Sequence, residues 1–275
     1  MNSSKSVVLF LSVDVVGSTN FKTAYEAANG STGWIAAFEA FFAEFPLVFL
    51  GNLALASKEQ DELAEARVWK VLGDEVVFAV YPNGPGDALA VVLAFYRTVI
   101  QFDARFFERW PLRVRGCAWG ARLDTRNRHI VIPEMQPQMD GQPFDDYLGP
   151  DVDIGFRLSG CAGRGQVVIS SNLAESLARL GALDGLRFHH VGRRVLKGVY
   201  GGRPYPVILI STMEDPPDFW EWEPTEDAGL LQLRTKEPTP PEFLVDHLAR
   251  IRAHLRRMHQ VDAGPPLFDN PVPAP

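Results

Sequence analysis

The chain has 275 residues, of which 46% are hydrophobic and 22% charged, a composition typical of a globular protein with a sizeable core. Its formal net charge of −7 argues against a protein that holds nucleic acid through a general basic surface. Two cysteines are too few for a disulfide framework. The first apolar run is interrupted by Asp14 and is too short for a membrane span or signal peptide. These features predict a cytoplasmic protein that does not associate with membranes.

Apolar periodicity predicts that strands and helices alternate up to residue 211, in an α+β or α/β order. The predicted elements are a buried strand over 7–16, a helix to about residue 50, two strands around a Gly73–Asp74 turn, a helix over 86–109, a strand in "LRVRGCAWGARL", a polar loop or projecting arm over 126–142, a helix in "PDVDIGFRLSG", a strand in "GQVVISS", a short helix in "NLAESLARLG" and a strand in "YPVILIS".

Residues 212–275 are predicted to form a C-terminal extension. It starts with an acidic, Pro-rich stretch and continues with a short helix at about 241–260. Apolar residues recur along this helix at intervals of four and three, which predicts a seam against the body of the protein. The tail after Val261 is Pro-rich and is predicted to be flexible.

The run "LSVDVVGSTNF" places a carboxylate, Asp14, at the end of a buried strand, where it is costly unless a cation neutralises it. A second acid, Asp74, lies in the tight turn of the predicted hairpin. If the first strand pairs with that hairpin, the two carboxylates meet, and Mg²⁺ or Mn²⁺ is the natural counterion. Gly17, Ser18 and Thr19 then turn into a helix whose free N–H groups suit phosphate oxygens. The alternative is that Asp14 caps a helix and Asp74 only makes a turn.

Four stretches, "VDVVGST", "KVLGDEVVF", "DYLGPDVDIGFRL" and "VLKGV", occur in the order and spacing of the class III nucleotidyl cyclases, and the chain resembles that family over residues 6–211. The resemblance implies a ferredoxin-like palm of β-α-β-β-α-β type within an α+β fold. It also implies a head-to-tail homodimer with composite active sites. The implied reaction converts a nucleoside triphosphate to a 3′,5′-cyclic nucleotide and pyrophosphate.

Asp14 and Asp74 match the family's two metal-binding aspartates, with the Val15 carbonyl as a further ligand. The resemblance implies two Mg²⁺ or Mn²⁺ ions in each active site. One ion lowers the pKa of the 3′-hydroxyl and the other neutralises the triphosphate. Lys197 matches the lysine that holds the terminal phosphates.

Arg157 matches the family's transition-state arginine, whose planar guanidinium group stabilises the negative charge that develops on the α-phosphate. Its alternative role is a surface ion pair with Asp153, four residues earlier on the same helix. Asp153 departs from the family, which has an asparagine there to orient the ribose. An ionised aspartate accepts a hydrogen bond but cannot donate one, which puts the role of this position in doubt.

Lys70 and Asp146 fall on the family's base-selecting pair, which the resemblance implies is supplied by the partner chain, in a combination that argues against guanine. Lysine can donate to adenine N1 while the carboxylate accepts from the 6-amino group. The pair fits uracil equally well, through O4 and N3–H, and it also fits cytosine. The residues alone therefore leave adenine and the pyrimidines open.

The chain as a whole resembles the pyrimidine cyclases of the bacterial Pycsar anti-phage system, which make cyclic UMP or cyclic CMP for a separate effector protein. This resemblance favours UTP as the substrate. The alternatives are an adenylate cyclase that makes cyclic AMP for ordinary signalling, and a catalytically silent module that binds a nucleotide. Asp153 is the best support for the silent module.

Overall fold

A computed structural model describes residues 7–29, 33–56, 65–124, 126–131, 145–212 and 237–268. The strands are β1 (Val7–Val16), β2 (Glu65–Leu72), β3 (Glu75–Tyr81), β4 (Arg113–Arg122), β5 (Arg128–Val131), β6 (Asp145–Leu148), β7 (Val167–Ile169), β8 (Arg187–Val195) and β9 (Pro204–Ser211). The α-helices are α1 (Ser18–Asn29), α2 (Ile35–Ala56), α3 (Pro85–Arg109), α4 (Pro150–Leu158), α5 (Ser171–Ala178) and α6 (Pro241–His259). Most of the predicted arm, the acidic Pro-rich stretch and the last seven residues lie outside the described residues.

Seven strands form one sheet in the order β2-β3-β1-β4-β7-β9-β8, in which only the β4–β7 pair is parallel. The chain order β1, α1–α2, β2, β3, α3, β4 is the predicted β-α-β-β-α-β palm, and the predicted α+β fold is confirmed. β1 lies between β3 and β4, so that Asp14 has Glu75 on one side and Arg115 on the other. β5 and β6 pair only with each other, as a separate hairpin.

The two faces of the sheet carry different cores because side chains alternate along each strand. Phenylalanines from α2 and α3 fill one face, and they include Phe41, Phe45 and Phe95. Trp119, Phe10 and Tyr147 occupy the other face, beneath α4. Asp14 is in step with Phe10 along β1 and therefore belongs to this second face.

Three elements differ from the sequence prediction. The single helix expected up to about residue 50 is two helices, α1 and α2. The polar arm contains strand residues at both ends, in β5 and β6. β8 was not predicted because its sequence "RFHHVGRRV" is rich in charge and has no apolar alternation, which an edge strand tolerates.

Helix α2 is long and apolar enough to cross a membrane, judged by length and composition only. Its phenylalanines pack into the core of the protein, whereas Leu47 and Leu55 are exposed on its outer side. A core helix passes the same test, so this finding is weak evidence for a membrane span.

Helix α6 packs its apolar seam, Leu244, Leu248 and Leu255, on the body of the protein. Arg252 of α6 also forms an ion pair with Glu175 of α5, whose side chain is 1% exposed. A buried carboxylate must be neutralised, and Arg179 supplies a second guanidinium, at 2.5 Å. The extension is therefore anchored through both apolar and charged contacts.

Residues 261–268 correct the prediction that the chain is flexible directly after Val261. Leu267 is 2% exposed, and its backbone N–H donates to the Ser176 hydroxyl at 2.7 Å. A Cβ atom at Gly120 would lie only 2.2 Å from Leu267 Cδ1, so the glycine makes room for this side chain. Proline content identified an irregular segment but could not show that one leucine in it reaches the core.

Leu267→Ala is expected to lower the free energy of unfolding by about 2–4 kcal/mol, because it leaves a cavity in a packed site. Leu55→Ala is the matched control, since Leu55 is 62% exposed and its truncation should cost less than about 0.5 kcal/mol. Urea unfolding of both variants measures the difference. Equal stabilities would show that residues 261–268 do not dock on the core.

Candidate active site

The structure brings Asp14 and Asp74 together at one end of the sheet. β1 pairs with β3 beyond the hairpin turn, and the Val15 N–H donates to the Asp74 carbonyl at 3.3 Å. The two acids are close enough for Asp74 to raise the pKa of Asp14. The proximity predicted from the sequence is thus present in the fold.

Arg115 of β4 is the immediate counterion of Asp14. Its Nη2 and Nε atoms lie 2.6 and 2.8 Å from Asp14 Oδ2, and the Asp14 side chain is 18% exposed. Burial nevertheless raises the pKa of the Asp14 carboxyl above its ordinary value; Arg115 opposes this shift and Asp74 adds to it. Sequence reasoning missed Arg115 because only the β1–β4 register places it opposite Asp14.

Glu75 adds a third carboxylate to this end of the sheet. It accepts a hydrogen bond from the Ser12 hydroxyl, and burial, followed by the charge of Asp14, raises its pKa. Among the described residues, no three acidic, histidine or cysteine side chains converge as a ready metal site. Mg²⁺ is commonly bound by only one or two carboxylates plus substrate phosphates and water, so Asp14 and Asp74 suit a cation that arrives with a nucleotide.

The turn after β1 leads directly into a helix, as the sequence predicted. Gly17 has a φ of +75°, a left-handed conformation that favours glycine, and α1 begins at the next residue. Ser18 is buried and Thr19 is exposed. The first turn of α1 thus lies directly beyond the strand that carries Asp14, with unpaired N–H groups at its start.

Lys70 and Asp146 form an ion pair within one chain, with Lys70 Nζ 2.8 Å from Oδ1 and 2.9 Å from Oδ2 of Asp146. Lys70 is on β2 and Asp146 on β6, so the pair joins the separate hairpin to the main sheet. Lys70 shares a row of the sheet with Ser12, through Val77. The spacing of residues and strands in a sheet then puts the Cα atom of Lys70 about 12 Å from the Cα atom of Asp14.

A β-bulge places Trp69 beside this pair. Val68 pairs with Phe78 and Lys70 with Val77, which leaves Trp69 as an extra residue in β2. Adjacent side chains on a regular strand point to opposite faces, but here Lys70 Nζ lies 4.4 Å from the Trp69 ring centroid. The aromatic ring is therefore next to the predicted base-reading pair, which strand alternation had argued against.

Arg157 and Asp153 are both exposed on α4, and no ion pair joins them in the part of the chain that the structure describes. The alternative of a surface ion pair is therefore not what the structure contains. Lys197, also exposed, lies in the connection from β8 to β9. Within the described residues, neither Arg157 nor Lys197 forms a hydrogen bond or an ion pair with Asp14 or Asp74.

A buried network holds the start of α4. Asp151 accepts hydrogen bonds from Arg126 Nε at 3.1 Å and from Asn127 Nδ2 at 2.8 Å, and Arg126 also reaches Asp262 of the extension at 3.1 Å. Burial raises the pKa of Asp151, and Arg126 opposes the shift. No local sequence pattern indicates this network, in which the extension helps to fix the helix that carries Asp153 and Arg157.

Helix α4 lies flat on β4 because Gly155 has no side chain. A Cβ atom there would lie 2.0 Å from the Trp119 ring. This close approach and the buried network together fix the orientation of α4 on the sheet.

No family model and no curated protein matches the chain. Solved structures do. The adenylyl cyclase CyaB from P. aeruginosa superimposes with a TM-score of 0.52 at 14% identity, over 78% of this chain and 95% of that one. An adenylate cyclase from Trypanosoma brucei, in its monomeric state, gives a TM-score of 0.50 at 16% identity, over 79% and 94% of the two chains. At this identity the likeness establishes a shared fold, that of cyclase catalytic domains.

Proposed function

We propose that this protein is a nucleotidyl cyclase, which forms a 3′,5′-cyclic nucleotide and pyrophosphate from a nucleoside triphosphate. The observation that carries the proposal is the juxtaposition of Asp14 and Asp74 beside the Gly17 turn into α1. Paired carboxylates next to a helix N-terminus suit a metal-bound triphosphate. The fold shared with adenylyl cyclase structures supports this reading of the site.

Asp14, Asp74 and the Val15 carbonyl are the ligands proposed for two Mg²⁺ or Mn²⁺ ions. When bound, such ions activate the 3′-hydroxyl for in-line attack on the α-phosphorus and neutralise the triphosphate. In the protein alone, Arg115 compensates the charge of Asp14 and holds its carboxylate in place. The N–H groups of Ser18 and Thr19 donate to phosphate oxygens.

The rest of the site is proposed to come from a second copy of the chain, in a head-to-tail homodimer. Arg157 and Lys197 are exposed and carry no ion pair within the described residues, so their charges are available to a ligand bound to the partner. Arg157 stabilises the charge that develops on the α-phosphate, and Lys197 binds the terminal phosphates. Asp153 accepts a hydrogen bond from the ribose.

Uracil is the base that we propose Lys70 and Asp146 to read. Lys70 donates to O4 and Asp146 accepts from N3–H, so both partners of the ion pair have a counterpart on the base. Trp69, placed here by the bulge, takes up space beside the pair and favours a single-ring base. Adenine, through N1 and the 6-amino group, is the alternative and would make the enzyme an adenylate cyclase.

The double exchange Lys70→Asp with Asp146→Lys is expected to shift the preferred substrate from UTP towards CTP. It keeps an ion pair between β2 and β6 but reverses donor and acceptor, and cytosine presents an amino group and a bare N3 in the reversed order. Each single exchange leaves two like charges together and should lower kcat/KM by about 10- to 10²-fold. Competition between UTP and CTP measures the shift, and an unchanged preference in the double variant would contradict base reading by this pair.

A UTP-specific enzyme of this kind would act in the cytoplasm and supply cyclic UMP to a separate effector protein in anti-phage defence. The resemblance of the whole chain to pyrimidine cyclases supports this role. A second candidate function is a silent module that binds a nucleotide without converting it, and Asp153 in place of asparagine favours it. Incubation with Mn²⁺ and each of the four nucleoside triphosphates separates the two, because a silent module gives no product from any of them.

A further inference from the structure

A cleft of about 490 Å³ lies between α6 and the strands β8 and β9, and within the described part of the chain its polar lining consists of arginines and histidines. The basic lining residues are Arg193, Arg203, His247, Arg250, His254 and His259. The three arginines concentrate positive charge in a chain whose formal net charge is −7. The cleft contains none of the residues of the candidate active site.

Most of this charge lacks an acidic partner. Arg250 pairs with Asp246 at 2.8 Å, whereas Arg193 and Arg203 form no ion pair in the part of the chain that the structure describes. Reduced contact with solvent and then the charge of Arg203 lower the pKa of His259. Burial, and then the charge of Arg193, also lower the pKa of His247. Bringing these groups together costs free energy, and a bound anion would recover it.

A ring nitrogen of one lining residue also lacks a hydrogen-bond partner. The Nε2 atom of His247 is buried and has no partner among the described residues. A buried polar atom without a partner is uncommon in native proteins and calls for an explanation, such as a ligand. The free guanidinium groups of Arg193 and Arg203 are suited to bidentate contacts with phosphate.

The size and the apolar part of the lining define the ligand further. A volume of about 490 Å³ is within the range of small-molecule sites and exceeds what one phosphate ion fills. Pro204, Ile251 and Leu255 supply an apolar wall opposite the basic groups. We propose that this cleft is a second binding site, which takes a small organic phosphate of about nucleotide size.

The position of the cleft gives such a ligand a route to the candidate active site. Arg193 lies in β8 and Arg203 directly before β9, and Lys197 belongs to the connection between them. Helix α6 forms the opposite wall and is anchored on α5 through Arg252 and Glu175. A ligand held by both walls would thus fix the connection that carries Lys197 relative to the extension.

The test is calorimetric titration in EDTA with adenosine monophosphate, pyrophosphate and adenosine, so that no metal assists binding at Asp14 and Asp74. Wild-type protein is expected to bind adenosine monophosphate. Arg193→Ala with Arg203→Ala should weaken this binding at least tenfold. The control is Arg97→Ala with Arg105→Ala, which removes the same charge from two exposed positions on α3 and should leave the affinity unchanged. Arg193→Gln with Arg203→Gln is a second pair if the alanine variant unfolds.

Four results with the wild type and the arginine variants would overturn the proposal. They are no binding of either phosphate to the wild type, equal affinities in the cleft and control variants, binding of pyrophosphate without adenosine monophosphate, and binding of adenosine as tight as that of its monophosphate. An Asp14→Ala variant should bind adenosine monophosphate like the wild type. Loss of binding in that variant would place the ligand in the candidate active site instead and would also contradict the second site.

Discussion

Asp14→Ala is expected to abolish formation of the cyclic nucleotide, with a loss on the order of 10³-fold or more, because it removes one of the two carboxylates that hold the catalytic cations. The loss should at least equal that from deleting one transition-state hydrogen bond in other enzymes, which reaches about 10³-fold. Product formation with Mn²⁺ and the preferred nucleoside triphosphate measures it. Glu108→Ala removes the same charge from an exposed position on α3 and should retain full activity.

The same substitution should not destabilise the protein at neutral pH. Burial raises the pKa of Asp14, so the folded protein holds this proton more tightly than the unfolded chain does. The raised pKa therefore favours folding at low pH, and this contribution is lost as the pH rises through it. Removing the charge then costs no more than the partly exposed ion pair with Arg115, at most about 1 kcal/mol. Retained activity would show that the metal site is misassigned, and unfolding would show that Asp14 is structural.

Mixing inactive Asp74→Ala with inactive Arg157→Ala is expected to restore activity. In a head-to-tail dimer with composite sites, each heterodimer has one site with both lesions and one site with neither. Half the dimers in an equal, fully exchanged mixture are heterodimers, so the mixture should recover about one quarter of wild-type activity. The prediction depends on Arg157 acting on the partner's substrate, as the family resemblance implies.

The control for this experiment is a mixture of Asp14→Ala and Asp74→Ala. Both substituted residues then belong to the part of the site that one chain supplies. Each site of a heterodimer therefore lacks one carboxylate, and no heterodimer contains an intact site. Native mass spectrometry of both mixtures establishes that heterodimers form. Heterodimers without recovery in the first mixture, or with recovery in the second, would contradict the composite site.

The sequence predicted the parts of the site that depend on local pattern. Asp14 stands out because it ends an apolar strand, and Asp74 because it occupies a two-residue turn, so their meeting required only that β1 pair with the hairpin. The order of the elements predicted an α+β or α/β fold, and the family resemblance alone implied the palm. Lys70 and Asp146, 76 residues apart, were paired by that resemblance alone.

The rest depends on register and on contacts between distant segments, which local pattern does not encode. Arg115 lies 101 residues from Asp14, and a shift of one residue in the β1–β4 register would turn it to the other face. The bulge at Trp69 breaks the alternation on which strand arguments rest. Leu267 lies in a Pro-rich stretch whose composition predicts flexibility, although a single side chain docks it.

The most direct test of the central claim is the ratio of cyclic nucleotide to pyrophosphate formed with Mn²⁺ and each of the four nucleoside triphosphates. A cyclase releases one pyrophosphate for each 3′,5′-cyclic nucleotide, and we expect this equality with UTP as the preferred substrate. Asp14→Ala, assayed in parallel, identifies any contaminating activity. Pyrophosphate with a linear monophosphate, or no product from any of the four, would contradict the assignment of this protein as a nucleotidyl cyclase.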